Sequence, residues 1–367
     1  MREKTMSVNQ IIMYFIAFGV VLGGIDRVLG NRFGYGEKFE AGFRMLGPVA
    51  LSMAGIICLA PLLSVGLGAV VRPLCELLKM DPSIFGSILA IDMGGYYLAM
   101  DLAGDARLGL YSAVVVSSTF GVTLVYNIPV GLGFIGEEDR PYFTRGILLG
   151  LTAMPFAITA GGLVMGISAG SILWNSLPVL LISALLAVGV IFMPEAMMRG
   201  FQYFGNGIKA VGTLGLTVAA FTHLTGIALI PAMPPLQDAM KTVCSISIVM
   251  LGSMPLVELI QRMMHKPFLW IGRRTGLNGA STTALIIGLV SATPALAMIP
   301  QMNKRGKVVI SACLVSCVCS FGAHFAFANN LQPETVPAML TAKLLGCVLG
   351  GVIAFMATGN MAEDEMQ

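Results

Sequence analysis

Ser83-Ile-Phe-Gly-Ser-Ile-Leu-Ala-Ile-Asp-Met-Gly-Gly-Tyr-Tyr-Leu-Ala-Met-Asp101 is an apolar run with a carboxylate, Asp92, at its middle. A charge at bilayer depth costs roughly 2.5–3.5 kcal/mol on insertion scales, so an intramembrane acid marks a binding group, a proton carrier or a partner for a base. No Lys or Arg lies in the same stretch. Gly94 and Gly95 follow the acid and weaken a helix there. Tyr96 and Tyr97 come next, four and five positions after Asp92. Acid, broken backbone and aromatic ring together suit a small organic cation, to which a tyrosine face adds roughly 0.5–2 kcal/mol. An aromatic belt at a membrane surface accounts for the tyrosines equally well.

The rest of the chain places this run in a membrane. Of 367 residues 56% are hydrophobic and only 11% charged, where a soluble domain carries about 25% charge. A net charge of +3 is too small to point to nucleic acid. The seven cysteines fall mostly in apolar runs and lack the neighbouring His or acidic ligands of a metal site, so no metal or cofactor is expected. The N-terminal apolar run lacks a small-x-small cleavage site and reads as a first membrane helix. There is no phosphate loop, no zinc-protease string and no Ser/His/Asp grouping, so an enzyme is not expected.

Eleven segments have spanning length, at about 8–30, 43–71, 82–104, 107–135, 143–167, 174–193, 207–232, 239–262, 279–301, 306–328 and 336–358. Four motifs recur in order. Pro61-Leu62 matches Pro255-Leu256, and Val71-Arg72-Pro73 matches His265-Lys266-Pro267. Leu98-Ala99-Met100 matches Leu296-Ala297-Met298, and Ser118-Thr119-Phe120-Gly121 matches Cys319-Ser320-Phe321-Gly322. The expected organisation is therefore a first transmembrane repeat (1–167), a linking helix and loop (168–206), a second repeat (207–358) and an acidic tail (359–367). Repeats of this kind place substrate near their interface.

Charge then orients the segments. Arg262, Lys266, Arg273 and Arg274 precede 279–301, and Lys304, Arg305 and Lys307 follow it. Both clusters belong in the cytoplasm, so the segment between them returns to the side it left. With 82–104 and 279–301 both re-entrant, the basic residues segregate better and the repeats are inverted. Each hairpin is interrupted near its middle, at Gly94-Gly95 and at Ser291-Ala292-Thr293-Pro294. The expected fold is an all-α polytopic membrane protein with two inverted repeats and two broken, re-entrant helices. A Gly/Pro kink in an ordinary spanning helix is the competing reading.

Other polar residues in apolar surroundings complete the candidate site. Asn127 precedes Pro129, and the Ser281, Thr282, Thr283 run opens the second hairpin, where it offers hydroxyls or caps a helix. Asp101, His223 and His324 are candidates for gating or proton transfer. Asp26 adjoins Arg27 and suggests an ion pair.

The stretch Leu89-Ala90-Ile91-Asp92-Met93-Gly94-Gly95-Tyr96-Tyr97-Leu98-Ala99-Met100-Asp101-Leu102-Ala103-Gly104 resembles the EutH family of bacterial ethanolamine-utilisation transporters. Asn9-Gln10-Ile11-Ile12-Met13-Tyr14, Asp26-Arg27, Phe39-Glu40-Ala41-Gly42-Phe43 and Leu59-Ala60-Pro61 resemble it too. The loop Asn31–Lys38 is shorter than is common there. The resemblance implies a multi-pass permease of the bacterial inner (cytoplasmic) membrane for ethanolamine, a small monocation with a hydroxyl. It implies a functional link to soluble ethanolamine-degrading enzymes, and a homo-oligomer is left open. A carrier or channel for another small polar solute is the alternative, and an intramembrane enzyme or sensor a remote one. On this reading Asp92 meets the ammonium, Tyr96 or Tyr97 covers it, and Asn127 or a hydroxyl of Ser281–Thr283 meets the substrate hydroxyl.

Overall fold

Apolar sequence of this length folds into helices that satisfy their own backbone, and breaks survive only where protein covers them. The computed structural model describes residues 8–89, 94–231 and 233–359, and every regular element among them is helical. Helix α1 (Val8–Val28) turns into α2 (Tyr35–Arg44) and α3 (Leu46–Leu78). The expected Asp26–Arg27 pair does not form. The Asp26 carboxylate instead accepts from the backbone N–H groups of Phe33 and Gly36, both at 2.9 Å. Those donors open the turn and would otherwise be orphaned. Arg27 pairs with Glu40 at 2.7 Å.

The chain continues through α4 (Ser83–Gly86), α5 (Gly95–Leu102) and α6 (Ala106–Leu110). Wide π-helical turns follow at Tyr111–Gly121 and Thr123–Asn127, then α7 (Ile128–Phe134). Next come α8 (Arg140–Val164), α9 (Ala169–Phe192), α10 (Pro194–Thr225) and α11 (Leu236–Thr275). The last part holds α12 (Gly279–Gly288), α13 (Ala292–Ala297), α14 (Lys304–Cys317), α15 (Ala323–Leu331) and α16 (Val336–Ala357).

Among the described residues, eight helical stretches are long and apolar enough to cross a bilayer. The other three of the eleven apolar segments are interrupted: 82–104 and 279–301, as their glycines, Pro294 and Ser291 suggest, and also 306–328. That last break, at Val318–Gly322, is invisible to hydropathy because its residues are themselves apolar or small. α3 and α11 each carry two internal prolines, Pro61 and Pro73 in one, Pro255 and Pro267 in the other. α8, α14 and α16 pack as a trio. α1 packs on α11, and α10 on α3.

Both interrupted segments 82–104 and 279–301 are hairpins, because their two ends are bonded together. The Asp81 carboxylate accepts from the N–H groups of Ser83, Gly104 and Asp105 at 2.8–3.0 Å. Asn278 donates from Nδ2 to Gln301 O (2.9 Å) and from its backbone N–H to Asn303 Oδ1 (3.4 Å). Asp105 and Asn303 then cap α6 and α14. Eight residues of α5 rise about 12 Å and ten of α12 about 15 Å, roughly half of a 30 Å hydrocarbon core.

The mouths of the two hairpins lie at opposite ends of α8. Asp139, just before α8, pairs with Lys307 in the first turn of α14, beside Asn303. After α8 the chain enters α9, where Asn175 Oδ1 accepts from the Asp81 N–H (2.6 Å) and Trp174 Nε1 donates to Leu78 O (3.0 Å). The 25 residues of α8, about 37 Å long, run between the two regions, and α9 folds back along α8 to bring Asn175 to the first clasp.

Each hairpin tip is crossed by backbone at a glycine. A Cβ on Gly121 would lie 2.4 Å from Ser87 O, and one on Gly322 only 1.9 Å from Val290 O. In the second half the crossing strands bond directly: Cys319 N–H to Gly288 O (2.9 Å) and Phe321 N–H to Leu289 O (2.8 Å). We expect Gly322→Ala to cost about 1–3 kcal/mol, as overpacking does, lowering the unfolding temperature in detergent by several degrees. Gly66→Ala, in open space on α3, is the control and should not lower it.

Candidate functional site

In the first hairpin the described residues stop at Leu89 and resume at Gly94; Asp92 lies outside them. Gly94 caps α5 at φ +83°, a conformation that favours glycine, and a Cβ there would sit 2.5 Å from the Ile56 side chain. Gly95 starts α5 and is buried. The first turn of α5 then places Tyr96 and Tyr97 against Phe327 of α15. Ring centroids are 5.2 Å apart for the tyrosine pair, and Phe327 is 5.6 Å from Tyr96 and 6.3 Å from Tyr97, all edge to face. Such pairs add about 0.5–1.5 kcal/mol each beyond burial. Tyr96 OH accepts from Gln332 Nε2 (2.9 Å), and Tyr97 OH shares a hydrogen bond with Thr242 Oγ1 of α11 (3.2 Å). The tyrosines that follow Asp92 are thus held by elements from the other end of the chain.

The break after α14 forms the second centre. A helix that stops inside an apolar interior leaves its last four carbonyls without partners. Each is met here. Leu314 O accepts from Asn127 Nδ2 (3.1 Å), and Val315 O from Thr123 Oγ1 (2.6 Å). Ser316 O accepts from Lys343 Nζ (3.3 Å), and Cys317 O from Ser320 Oγ (2.7 Å). Lys343, in α16, is fully buried and donates also to Ser118 O in the π-helical turns. The C-terminal end of a helix carries about half a negative charge, so a buried ammonium is well placed there.

The remaining candidates distribute as follows. Asn127 is fully buried with its nitrogen committed to the α14 end; its Oδ1 has no partner among the described residues. Ser281 and Thr282 lie in the first turn of α12, at the hairpin mouth. Asn278 caps the helix by accepting from the Ser281 N–H (3.0 Å), while Ser281 Oγ donates to Asn278 Oδ1 (2.6 Å) and Thr282 Oγ1 to Gly279 O (3.1 Å). Thr283, half-buried, follows in the same turn. The mouth is about 10 Å along the helix from the tip, so these three are not brought to the tyrosines. At the tip itself the hydroxyls are Ser291 and Thr293, the latter bonded to Tyr126 OH. Asp101 is exposed near the mouth of the first hairpin, its carbonyl accepting from Arg72 (3.1 Å). His223 is exposed on α10 and meets Gln237 Nε2 at 2.8 Å, away from both hairpin tips. His324 is fully buried in the first turn of α15, directly after the break.

A cavity of about 430 Å³ lies between α3, α10 and the first hairpin, lined by residues such as Ile56, Leu67, Phe85, Leu89 and Phe204. Its walls are hydrocarbon and offer an ammonium ion nothing. Among the described residues no group of His, Cys, Asp or Glu is placed to hold a metal. Sequence reading missed Lys343, Gln332, Thr242 and Phe327. For Lys343 the signal was present, since it is a charge within an apolar segment just as Asp92 is. The other three are unremarkable residues that acquire a role only through packing.

Comparison with known proteins is consistent across the chain. The profile of the family described as "EutH: Ethanolamine utilisation protein, EutH" matches residues 8–357. A protein named "Probable ethanolamine permease EutH" from Listeria monocytogenes is 36% identical over 98% of this chain and 97% of its own. One of the same name from Escherichia coli is 36% identical over 99% of this chain and 100% of its own. "Uncharacterized protein YxeR" from Bacillus subtilis is 38% identical over 96% of both. No solved structure matches. With the whole helical core matched and hydropathy that makes it a membrane protein, the chain belongs to the EutH family of ethanolamine utilisation proteins.

Proposed function

We propose that this protein carries ethanolamine, as its ammonium form, across the bacterial cytoplasmic membrane. The observation that carries the reading is the pair of half-depth hairpins whose mouths lie at opposite ends of α8. Two such hairpins entering from opposite faces bring their tips to the same depth. A site at that depth is open to alternate sides by small movements of either unit. The names of the relatives supply the substrate.

In this reading the two halves are inverted repeats. The paired internal prolines of α3 and α11, the glycine crossings at Gly121 and Gly322, and the exchange of α1 onto α11 and α10 onto α3 support it. The eight continuous spans and the broken α14–α15 make nine crossings, four per half and one linking. The face holding Arg145, Arg262, Lys304 and Lys307 is cytoplasmic, as positive residues require.

Asp92 is the counter-ion. Tyr96 and Tyr97, held by Gln332 and Thr242, wall the ammonium. The substrate hydroxyl donates to Asn127 Oδ1, which has no partner among the described residues, or meets Thr293 at the second tip. Ser281 and Thr282 are left to bond within the first turn of α12. No step of covalent chemistry is involved. Uptake is driven by the substrate gradient or by a proton carried with it.

Two measurements check this. Uptake of labelled ethanolamine by proteoliposomes should fall about thirtyfold or more in Asp92→Asn, as loss of one partner of a buried charge pair does; unchanged uptake defeats the counter-ion assignment. Topology is read by an impermeant maleimide on a background with the exposed Cys244 replaced. Ala106→Cys should label in intact cells, and Lys304→Cys only after the membrane is opened. Labelling of both from one side rules out inverted hairpins.

A further inference from the structure

The first hairpin has one side that faces a cleft instead of packed protein. Ile56, Leu63, Leu67 and Val71 line this 430 Å³ cavity from α3, at spacings of seven, four and four, so they form a single helical stripe. Phe204, Gly207 and Val211 supply a second such stripe from α10, and Phe85 and Ile88 face both from the hairpin. The floor is deep: Ile56 and Leu98 are each 2% exposed. The rim is not: Leu67, Phe204 and Val211 are 37–45% exposed. The open side continues into Val65, Val70 and Leu214, exposed apolar side chains on helices of spanning length. Such a face meets bilayer hydrocarbon, and a cavity without polar groups stays free of water. What enters the cleft is therefore hydrocarbon from the bilayer.

Shape and charge narrow the occupant. Ile56 and Val71 are about 22 Å apart along α3, against about 15 Å for one leaflet of the hydrocarbon core. The cavity volume drawn out over that length is a slot one chain wide. α10 closes its deep end, where a Cβ on Gly212 would lie 3.3 Å from the Ile56 side chain. Arg72 stands at the outer end, next to Val71, with its Nε 3.2 Å from where a Cβ on Gly68 would be. Its Nη2 donates to Asp101 O (3.1 Å) near the hairpin mouth. The side chain is exposed, and among the described residues no carboxylate is within ion-pair distance of it. An arginine beside a cleft between spanning helices suits a lipid phosphate. We propose that this cleft is a phospholipid site: one acyl chain of a phosphatidylglycerol fills the slot from Val71 to Ile56, and Arg72 holds its phosphate. A choline headgroup brings its own cation and gains less from the arginine. The chain gives the hairpin a wall that yields where close-packed side chains do not. The inference concerns the apolar side of the hairpin and stands whether or not ethanolamine is the solute.

The test places the full-length protein in nanodiscs of phosphatidylcholine. A tracer of phosphatidylglycerol or of phosphatidylcholine is added, each with a diazirine in one acyl chain. After irradiation the adducts are mapped by mass spectrometry. Wild type should carry adducts on Phe85 or Ile88, the hairpin residues that face the slot. The phosphatidylglycerol tracer should label them about fivefold more than the phosphatidylcholine tracer, as one arginine near a headgroup implies. Unlabelled phosphatidylglycerol should displace that tracer, and added phosphatidylcholine should not. Arg72→Gln should bring phosphatidylglycerol labelling down to the phosphatidylcholine level. A Cβ on Gly207 meets open space, so Gly207→Trp fills the slot from α10. It should remove the hairpin adducts of both tracers and leave Val65 and Val70, on the outer surface, labelled.

Absence of hairpin adducts in wild type, equal labelling by the two tracers, or hairpin labelling that survives Gly207→Trp overturns the proposal. A second copy of the chain seated in the cleft also overturns it; the hairpin then stays unlabelled, and Leu67→Cys links two copies through a short thiol cross-linker. Where a variant does not fold, displacement in wild type decides: labelling that phosphatidylcholine displaces as well as phosphatidylglycerol does overturns the proposal. Uptake is not read at any point, so failure of the ethanolamine reading leaves the labelling result intact.

Discussion

Every backbone N–H and C=O that a break frees inside an apolar interior has to find a partner within the protein, and this constraint shapes the whole structure. An unmet group costs several kcal/mol in hydrocarbon. The end of α14 shows the solution most fully. Thr123 and Asn127 come from the first half, Lys343 from the last helix, and Ser320 from the break itself. The tip of the second hairpin and the break after α14 use each other, with Cys319 and Phe321 donating to Gly288 and Leu289. The first half keeps its crossing helix continuous and widens it into π turns instead. Gly121 and Gly322 make the crossings close enough in both. The two glycine crossings are thus reached by different backbone routes.

The same constraint explains the clasps at the hairpin mouths. A segment that enters and leaves one face exposes the N–H groups of the helices it joins. Asp81 gathers three of these with a single carboxylate. Asn278 and Asn303 share the task at the other mouth, without charge. A carboxylate binding several backbone donors suits the less basic face, while neutral amides suit the face where Lys304 and Lys307 supply positive charge. Because α8 runs between the two regions, ordinary hydrogen bonds and helix length hold the two mouths apart.

Much of this was legible in the sequence, and the failures have physical causes. Length and hydropathy located the eight stretches that are long and apolar enough to span, and Gly94-Gly95 and Ser291–Pro294 marked two interruptions. The third interruption was missed because Val318, Cys319 and Phe321 are as apolar as any helix, and only Gly322 hints at it. Ser281, Thr282 and Thr283 read equally as ligands or caps; the cap of α12 is Asn278, and Ser281 and Thr282 bond within the first turn that follows it. Asn127 was singled out for its polarity, yet its nitrogen answers to a carbonyl nearly two hundred residues away. Lys343 stood in plain view, but its meaning depends on where α14 stops. Long-range partners of this kind are properties of packing, and a single chain of letters carries no record of them.

The placement of deep charge bears on how such a carrier moves at all. A charge travelling alone through hydrocarbon meets a barrier of many kcal/mol. On the proposed reading the substrate ammonium is neutralised by Asp92, so the loaded site is close to zero net charge. Helices α4 and α5 pack on α3 and on the π-helical turns, whereas α8, α14 and α16 form a tight trio. A loaded hairpin that shifts against that trio then carries little net charge past it. The trio is dense and buried, while α9 and α10 present long exposed apolar faces. Rigidity is thus concentrated in the trio, and freedom to move is left to the elements around it.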